Sequence, residues 1–204
     1  MHLRKLVIVG FAVASLALIP ATAANASTGT PGPAPTTETT HAAMTVSGYN
    51  AEVAEANGYK IVTNADGTQE SVPVTDAAIA QRRQADQLRA AAPQETASPA
   101  VVCGDSWASG TKVANDTVAF NTGFIVYGAA YEHTWTVYAD GFITANSWST
   151  SGAGPASGNE SWEGAIPGVV GPGIGGVPFG SASASVVLVD GTVCYSDGPT
   201  FTFG

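Results

Sequence analysis

Glu132-His-Thr-Trp-Thr-Val-Tyr-Ala139, then Asp140-Gly141, then Phe142-Ile-Thr-Ala-Asn-Ser-Trp-Ser149 decides the fold. Both flanks alternate apolar and polar residues with period two, and Asp-Gly between such runs is the chemistry of a tight hairpin. With a two-residue turn, Ala139 faces Phe142, Val137 faces Thr144, Trp135 faces Asn146 and His133 faces Trp148. Trp135, Val137, Phe142 and Trp148 then make the core face. Thr134, Thr136, Tyr138 and Ser147 make the solvated one.

The alternation extends in both directions. Val118, Phe120, Thr122, Phe124 and Val126 alternate with smaller or more polar residues, and Gly123 marks a bulge or a close-packing point. Ser181 to Val189 and Thr192 to Tyr195 flank Asp190-Gly191 as a second hairpin. A two-residue turn there puts Ala182, Ala184, Val186, Leu188, Val193 and Tyr195 on one face, and Cys194 on the other beside Val187. Thr200-Phe-Thr-Phe203 reads as a closing edge strand. Short strands, turn residues and the lack of a convincing helix predict an all-β antiparallel sandwich or barrel over 100–204. A parallel α/β sheet would need crossover helices.

Composition divides the chain ahead of that region. All four tryptophans (Trp107, Trp135, Trp148, Trp162) and both cysteines lie within 100–204. Residues 1–26 read as a signal peptide: basic Arg4-Lys5, an apolar run from Leu6 to Ile19, and small residues at Ala24-Asn25-Ala26. Residues 27–44 are Thr, Pro, Ala and Gly with little to bury, and read as a disordered tail. Residues 45–92 read as a pro-region or spacer, or a flap on the main domain. They hold a short helix from Ala51 stopped at Gly58, a hairpin of 59–63 with 70–74, and a helix capped by Thr75. This is a small, weakly structured α/β segment, too slight for its own core. Residues 93–99 are a proline-bearing linker.

Export places Cys103 and Cys194 in an oxidising compartment, where the simplest outcome is one disulfide between them. Zinc takes about four protein or water ligands, and the domain offers these cysteines and His133 alone. Neither Asp190-Gly191 with Asp197 nor Asp66-Gly67 with Glu70 has the spacing of a calcium loop. No metal and no cofactor is expected.

His133 is the candidate general base, but no Gly-x-Ser-x-Gly elbow stands near it. Glu160 and Glu163 flank Trp162, the acid-beside-aromatic arrangement of a sugar subsite; on a strand, however, the two carboxylates point to opposite faces. Trp107, Tyr131, Trp148 and Trp162 are the candidate contact aromatics, with core packing as the plainer role of each. The Gly- and Pro-rich segment 165–180 is too irregular for a helix and reads as a long loop on the barrel mouth or sheet face, partner-contacting, inhibitor-like or membrane-touching.

Beyond residue 100 the only basic side chain is Lys112, against eight acids. Such a surface repels nucleic acid and anionic lipid. No second apolar run approaches spanning length, so no stable membrane anchor is expected. The layout, with an Ala-rich leader, a Thr/Pro tail and a Gly/Ser/Trp-rich two-cysteine β-domain, resembles small secreted actinobacterial proteins of unassigned function. That resemblance implies location and source and transfers no site residue. The expectation is a secreted, non-enzymatic β-domain that binds an extracellular protein or a cell-wall component. A secreted hydrolase using His133 or Glu160/Glu163, and a secreted protein inhibitor using loop 165–180, are the alternatives.

Overall fold

The computed structural model describes residues 38–92 and 101–204. The leader at 1–26, the tail as far as 37 and the linker at 93–99 lie outside the described residues. In chain order the elements are β1 (Thr40–Tyr49), α1 (Ala51–Ala56), β2 (Tyr59–Thr63), β3 (Gln69–Pro73), α2 (Asp76–Ala91), β4 (Val102–Val113) and β5 (Thr117–Val126). There follow β6 (Ala130–Gly141), β7 (Ala145–Ala153), β8 (Asn159–Ile166), β9 (Gly173–Gly176), β10 (Ser185–Leu188), β11 (Thr192–Ser196) and β12 (Thr200–Phe203).

Ten strands form one antiparallel sheet in the order β12-β9-β6-β10-β11-β1-β4-β5-β8, with β7 also on β6. β6 is the branch point. β7 pairs with it along 132–140, while β10 takes 130–134 and β9 takes 138–141. The sheet curls until its ends meet: Trp148 on β7 and Trp162 on β8 have ring centroids 6.1 Å apart. No ladder joins β7 to β8. The architecture is an antiparallel barrel in which β7 and β8 lie side by side without a ladder, and β12, paired with β9 alone, is a further edge.

The predicted alternation in β5 is observed. Val118, Phe120, Thr122, Phe124 and Val126 are all buried, and they meet Trp135, Val137 and Ala139 from β6 in one core. Trp135 donates its indole N–H to Thr122 Oγ1 at 3.1 Å, and Thr122 donates to the Trp107 carbonyl at 2.8 Å. The deepest polar atoms of this core are thereby satisfied. Gly123 is a close-packing point: its neighbours pair without a register shift, and the Trp107 indole lies where a side chain would stand.

The segment 45–92 holds the predicted pieces, α1 with Asn50 as its cap, the β2–β3 hairpin, and α2 capped by Thr75. They dock on the barrel. Ser71 Oγ donates to the Asp190 carbonyl at 2.6 Å, and Asn50 N–H to the Gly191 carbonyl at 2.7 Å.

Four expectations are corrected. The tail drawn to residue 44 cuts through β1, and the domain start drawn at 100 leaves that strand out. This strand runs between β11 and β4, with Met44 fully buried. In the first hairpin the last pair is Asp140 with Ala145, so Val137 faces Trp148 and His133 faces Gly152. The shift is even, so the inward face stays as predicted, but Phe142 lies in a wider loop and is 87% exposed. The loop is held open by bonds to 168–172, with Phe142 N–H to the Pro172 carbonyl and Ile143 N–H to the Val170 carbonyl. In the second hairpin Val187 pairs with Val193 and Val186 with Cys194. Gly191, at φ +83°, donates to the Leu188 carbonyl, which makes a three-residue loop and reverses the faces of β11. Cys194 thus points into the core beside Val186, and its disulfide to Cys103 is buried rather than lying across the outside. Finally, 165–180 is not one loop. It contains the end of β8 and all of β9, and it buries Val169 and Val177.

Candidate functional site

Four residues singled out in the sequence converge at the seam. His133 faces inward from β6 and is only 6% exposed. Its ring lies against Trp162 (5.1 Å between centroids) and Phe124 (6.2 Å). Glu160 faces inward from β8 and places Oε2 3.3 Å from His133 Nδ1. Both atoms are buried, and neither has a polar partner besides the other. Trp162, two residues on, touches Trp135 at 6.0 Å and Trp148 at 6.1 Å.

The local sequence explains this placement. Asn159 to Ile166 pairs with β5 in unbroken register, so Glu160, Trp162, Gly164 and Ile166 share the inward face, and Ser161, Glu163 and Ala165 the outer one. Glu163 is accordingly turned away from Glu160 and accepts from the Asn121 amide at 3.2 Å. Gly164 leaves room for Phe120, which packs on Trp148 at 5.2 Å.

The seam is open to solvent. On β5 and β6 the inward-facing apolar residues are buried, whereas on β7 Trp148 and Thr150 are half-buried and Gly152 is exposed, and on β8 Glu160 and Trp162 are half-buried. The result is a partly exposed seam between two strand edges, underlain by aromatic rings. A carboxylate and an imidazole nitrogen that have only each other meet there. A carboxylate with a single partner has acceptor capacity left over, so the seam is suited to a ligand group that donates to it.

The remaining candidates lie elsewhere. Trp107 is on the outer face of β4, with its indole N–H on Asn121 Oδ1 at 3.0 Å and its ring 6.3 Å from that of His41, which bonds Asp105 at 2.7 Å. Tyr131, 45% exposed, is on the outer face of β6. The sequence reading missed the exposed apolar tip of Phe142 and Ile143, with Ile174 beside it on β9. Its Phe-Ile dipeptide right after Asp-Gly was the available sign, read instead as the first turn of a core strand.

A shallow depression lies between α2 and the loops at 127–129 and 188–190. Arg82 there donates to the Ser71 carbonyl and stands 3.6 Å from Asp190. Burial, and then the Asp190 charge, raises the Tyr59 phenol pKa above 10.0. These polar groups serve one another, which makes the depression a structural junction.

Among the described residues no group of three or more His, Cys, Asp or Glu side chains could hold a metal ion, and no helix is long and apolar enough to cross a membrane. Comparison with protein-family models, with curated proteins and with solved structures found no match.

Proposed function

We propose that this is a secreted, non-enzymatic β-domain that binds an extracellular partner at the β7–β8 seam. The observation behind this reading is the partly exposed β7–β8 seam, where Glu160 Oε2 and His133 Nδ1 meet at 3.3 Å with no other partner. The leader-like sequence at 1–26 and the buried Cys103–Cys194 bond support export. The apolar tip adjoins the seam, because Phe142 and Ile143 directly precede β7, and it extends the surface a partner would cover.

Immobilised protein tests this against concentrated culture medium. A retained extracellular component should be lost with Thr150→Arg, which fills the seam from β7, at unchanged melting temperature. Retention that ignores Thr150→Arg sinks the reading.

The hydrolase alternative draws on the same 3.3 Å contact between His133 and Glu160. Among the described hydrogen bonds, no serine, threonine or cysteine joins that pair as a nucleophile would. Glu163 is on the opposite face, so the two glutamates do not form a glycosidase pair. Turnover in a hydrolase screen that disappears with Glu160→Gln, at unchanged stability, would establish the enzyme instead.

A further inference from the structure

We propose that the occupant of the seam is an extended peptide segment, added as a strand beside β7 and carrying a basic side chain that reaches Glu160. This rests on the partner-binding reading above and names the partner's chemistry.

Two edges face each other there. β7 (Ala-Asn-Ser-Trp-Ser-Thr-Ser-Gly-Ala) is paired with β6 alone, and β8 with β5 alone. Successive strands of an antiparallel barrel ordinarily pair with each other, and these are joined by only 154–158. Bonds around the two ends of the seam fix their relative position. At one end Gly154 N–H bonds the Tyr131 carbonyl, Ala130 N–H bonds Pro155, and Val126 N–H bonds Gly158. At the other, Asn146 Nδ2 donates to the Pro167 carbonyl and Thr144 Oγ1 to Gly168. The seam is pinned at both ends and unzipped between them.

An exposed edge strand invites another chain, and proteins usually protect such edges with charge, proline or a bulge. β7 has no charged residue, no proline and no register shift against β6. It is also long enough for about six residues of partner at roughly 3.3 Å each. Main-chain bonds to an edge supply affinity, and alternate side chains supply specificity. Every second side chain of an added strand would face the seam, over Trp148, Trp162 and Glu160.

Charge selects among such strands. Glu160 Oε2 is buried, with His133 Nδ1 at 3.3 Å as its only neighbour able to donate. The single basic side chain beyond residue 100, Lys112, is committed to the Val169 carbonyl and to Asp116. The His133 imidazole, 3.3 Å from Oε2, is the one nearby group of the described barrel that can donate to Glu160; no lysine or arginine reaches it, so an incoming ammonium or guanidinium group adds a charged donor to the half-exposed carboxylate. A neutral residue at that position adds no such donor, and an acidic one is repelled.

The test uses the full-length protein and three capped heptapeptides of alternating threonine and valine. The first has lysine at its centre, the second has glutamate there, and the third is the lysine peptide with N-methyl groups on alternate backbone nitrogens. Titration calorimetry and indole fluorescence read binding. The lysine peptide should bind at least tenfold tighter than the glutamate peptide, the factor expected for one charge-assisted hydrogen bond. The methylated peptide should not bind. Glu160→Gln should bring the lysine and glutamate peptides to similar affinity. Because these comparisons are also made on the unaltered protein, misfolding of the variant would leave the decision intact.

Equal binding of the lysine and glutamate peptides overturns the charge argument, and undiminished binding of the methylated peptide overturns strand addition. A protein that sediments as a dimer, and is dissociated by Thr150→Arg, shows that a second copy occupies the edge and also overturns the proposal. If no peptide binds while Thr150→Arg still abolishes retention of a medium component, this inference fails and the broader reading stands.

Discussion

Met44→Ala measures whether β1 is a working part of the barrel. Met44 is completely buried at the centre of β1, opposite Ser196 of β11 and Gly104 of β4. Truncation to alanine removes three non-hydrogen atoms, worth about 2.4 kcal/mol at about 0.8 kcal/mol per methylene equivalent. β1 is bonded on both edges and cannot move inward to close the gap, so a cavity term brings the loss to about 3–4 kcal/mol, inside the usual range of about 2–5 for this substitution. For a folded unit of this size, that is a fall in melting temperature of roughly 6–16 °C.

Thermal and urea melts followed by far-ultraviolet circular dichroism read the effect. Leu88→Ala serves as the control, because Leu88 is an apolar residue on α2 that is 43% exposed. It should change stability by no more than about 0.5 kcal/mol. If Met44→Ala costs no more than Leu88→Ala, β1 is peripheral and the residues before 93 are a separable segment after all.

Three further outcomes are expected. Cys103→Ser combined with Cys194→Ser should cost about 4–5 kcal/mol, the chain-entropy value for closing a loop of this length, and non-reduced peptide mapping of the parent should find the pair joined. Gly191→Ala should cost clearly more than Gly67→Ala in urea melts. Both glycines have positive φ, but a Cβ at 191 meets Ala54 Cβ at 2.8 Å while one at 67 meets nothing, so equal losses would refute the docking of α1 on the hairpin. Stability should hold below about pH 10 and fall above it, because burial raises the Tyr59, Tyr49 and Tyr138 phenols above 10.0 and makes ionisation harder in the folded chain than in the unfolded one. Tyr59→Phe should flatten part of that alkaline slope in denaturant midpoints, and an unchanged slope would remove Tyr59 from the explanation.

Period-two alternation exposed β5 and β6 in the sequence because their inward residues are large: Phe120, Phe124, Trp135, Val137. β1 gave no such sign. Thr-His-Ala-Ala-Met-Thr-Val-Ser-Gly-Tyr has one large buried side chain, and its place is secured by ladders on both edges that no local pattern encodes. Turn length was the other hidden quantity. Asp-Gly marked both hairpins, but Gly141 ends a strand while Gly191 closes a three-residue loop, and the distant partners at 170–172 and at Asn50 decide this. At the seam, the sequence supplied His133, Glu160, Trp148 and Trp162 separately. Their convergence depends on β6, β7 and β8 being neighbours in the curled sheet, and the gap between β7 and β8 depends on bonds each makes elsewhere.

The disulfide and β1 fix one another in place. Cys103 is on β4, Cys194 is on β11, and β1 runs between those strands. Strands separated by one intervening strand lie about 9.5 Å apart in a flat sheet, too far for the bond, since bridged cysteines have Cα atoms within about 7 Å. Here the Cα atoms are 6.2 Å apart. The register supplies the difference. Met44 pairs with Gly104 and Thr45 with Val102, so Cys103 is the extra residue of a bulge, and its Sγ lies 3.3 Å from the Met44 carbonyl. A bulge bends its strand and sharpens the local twist, and β1 has a second irregularity facing β11, between Val46 and Gly48. The two bends fold β4 and β11 toward each other across the inner face of β1, and the bond closes over it. Without β1, both strands lose a partner along one edge and the bond spans an unfilled slot. The N-terminal strand and the two cysteines, more than fifty residues apart at the nearest, therefore belong to one domain.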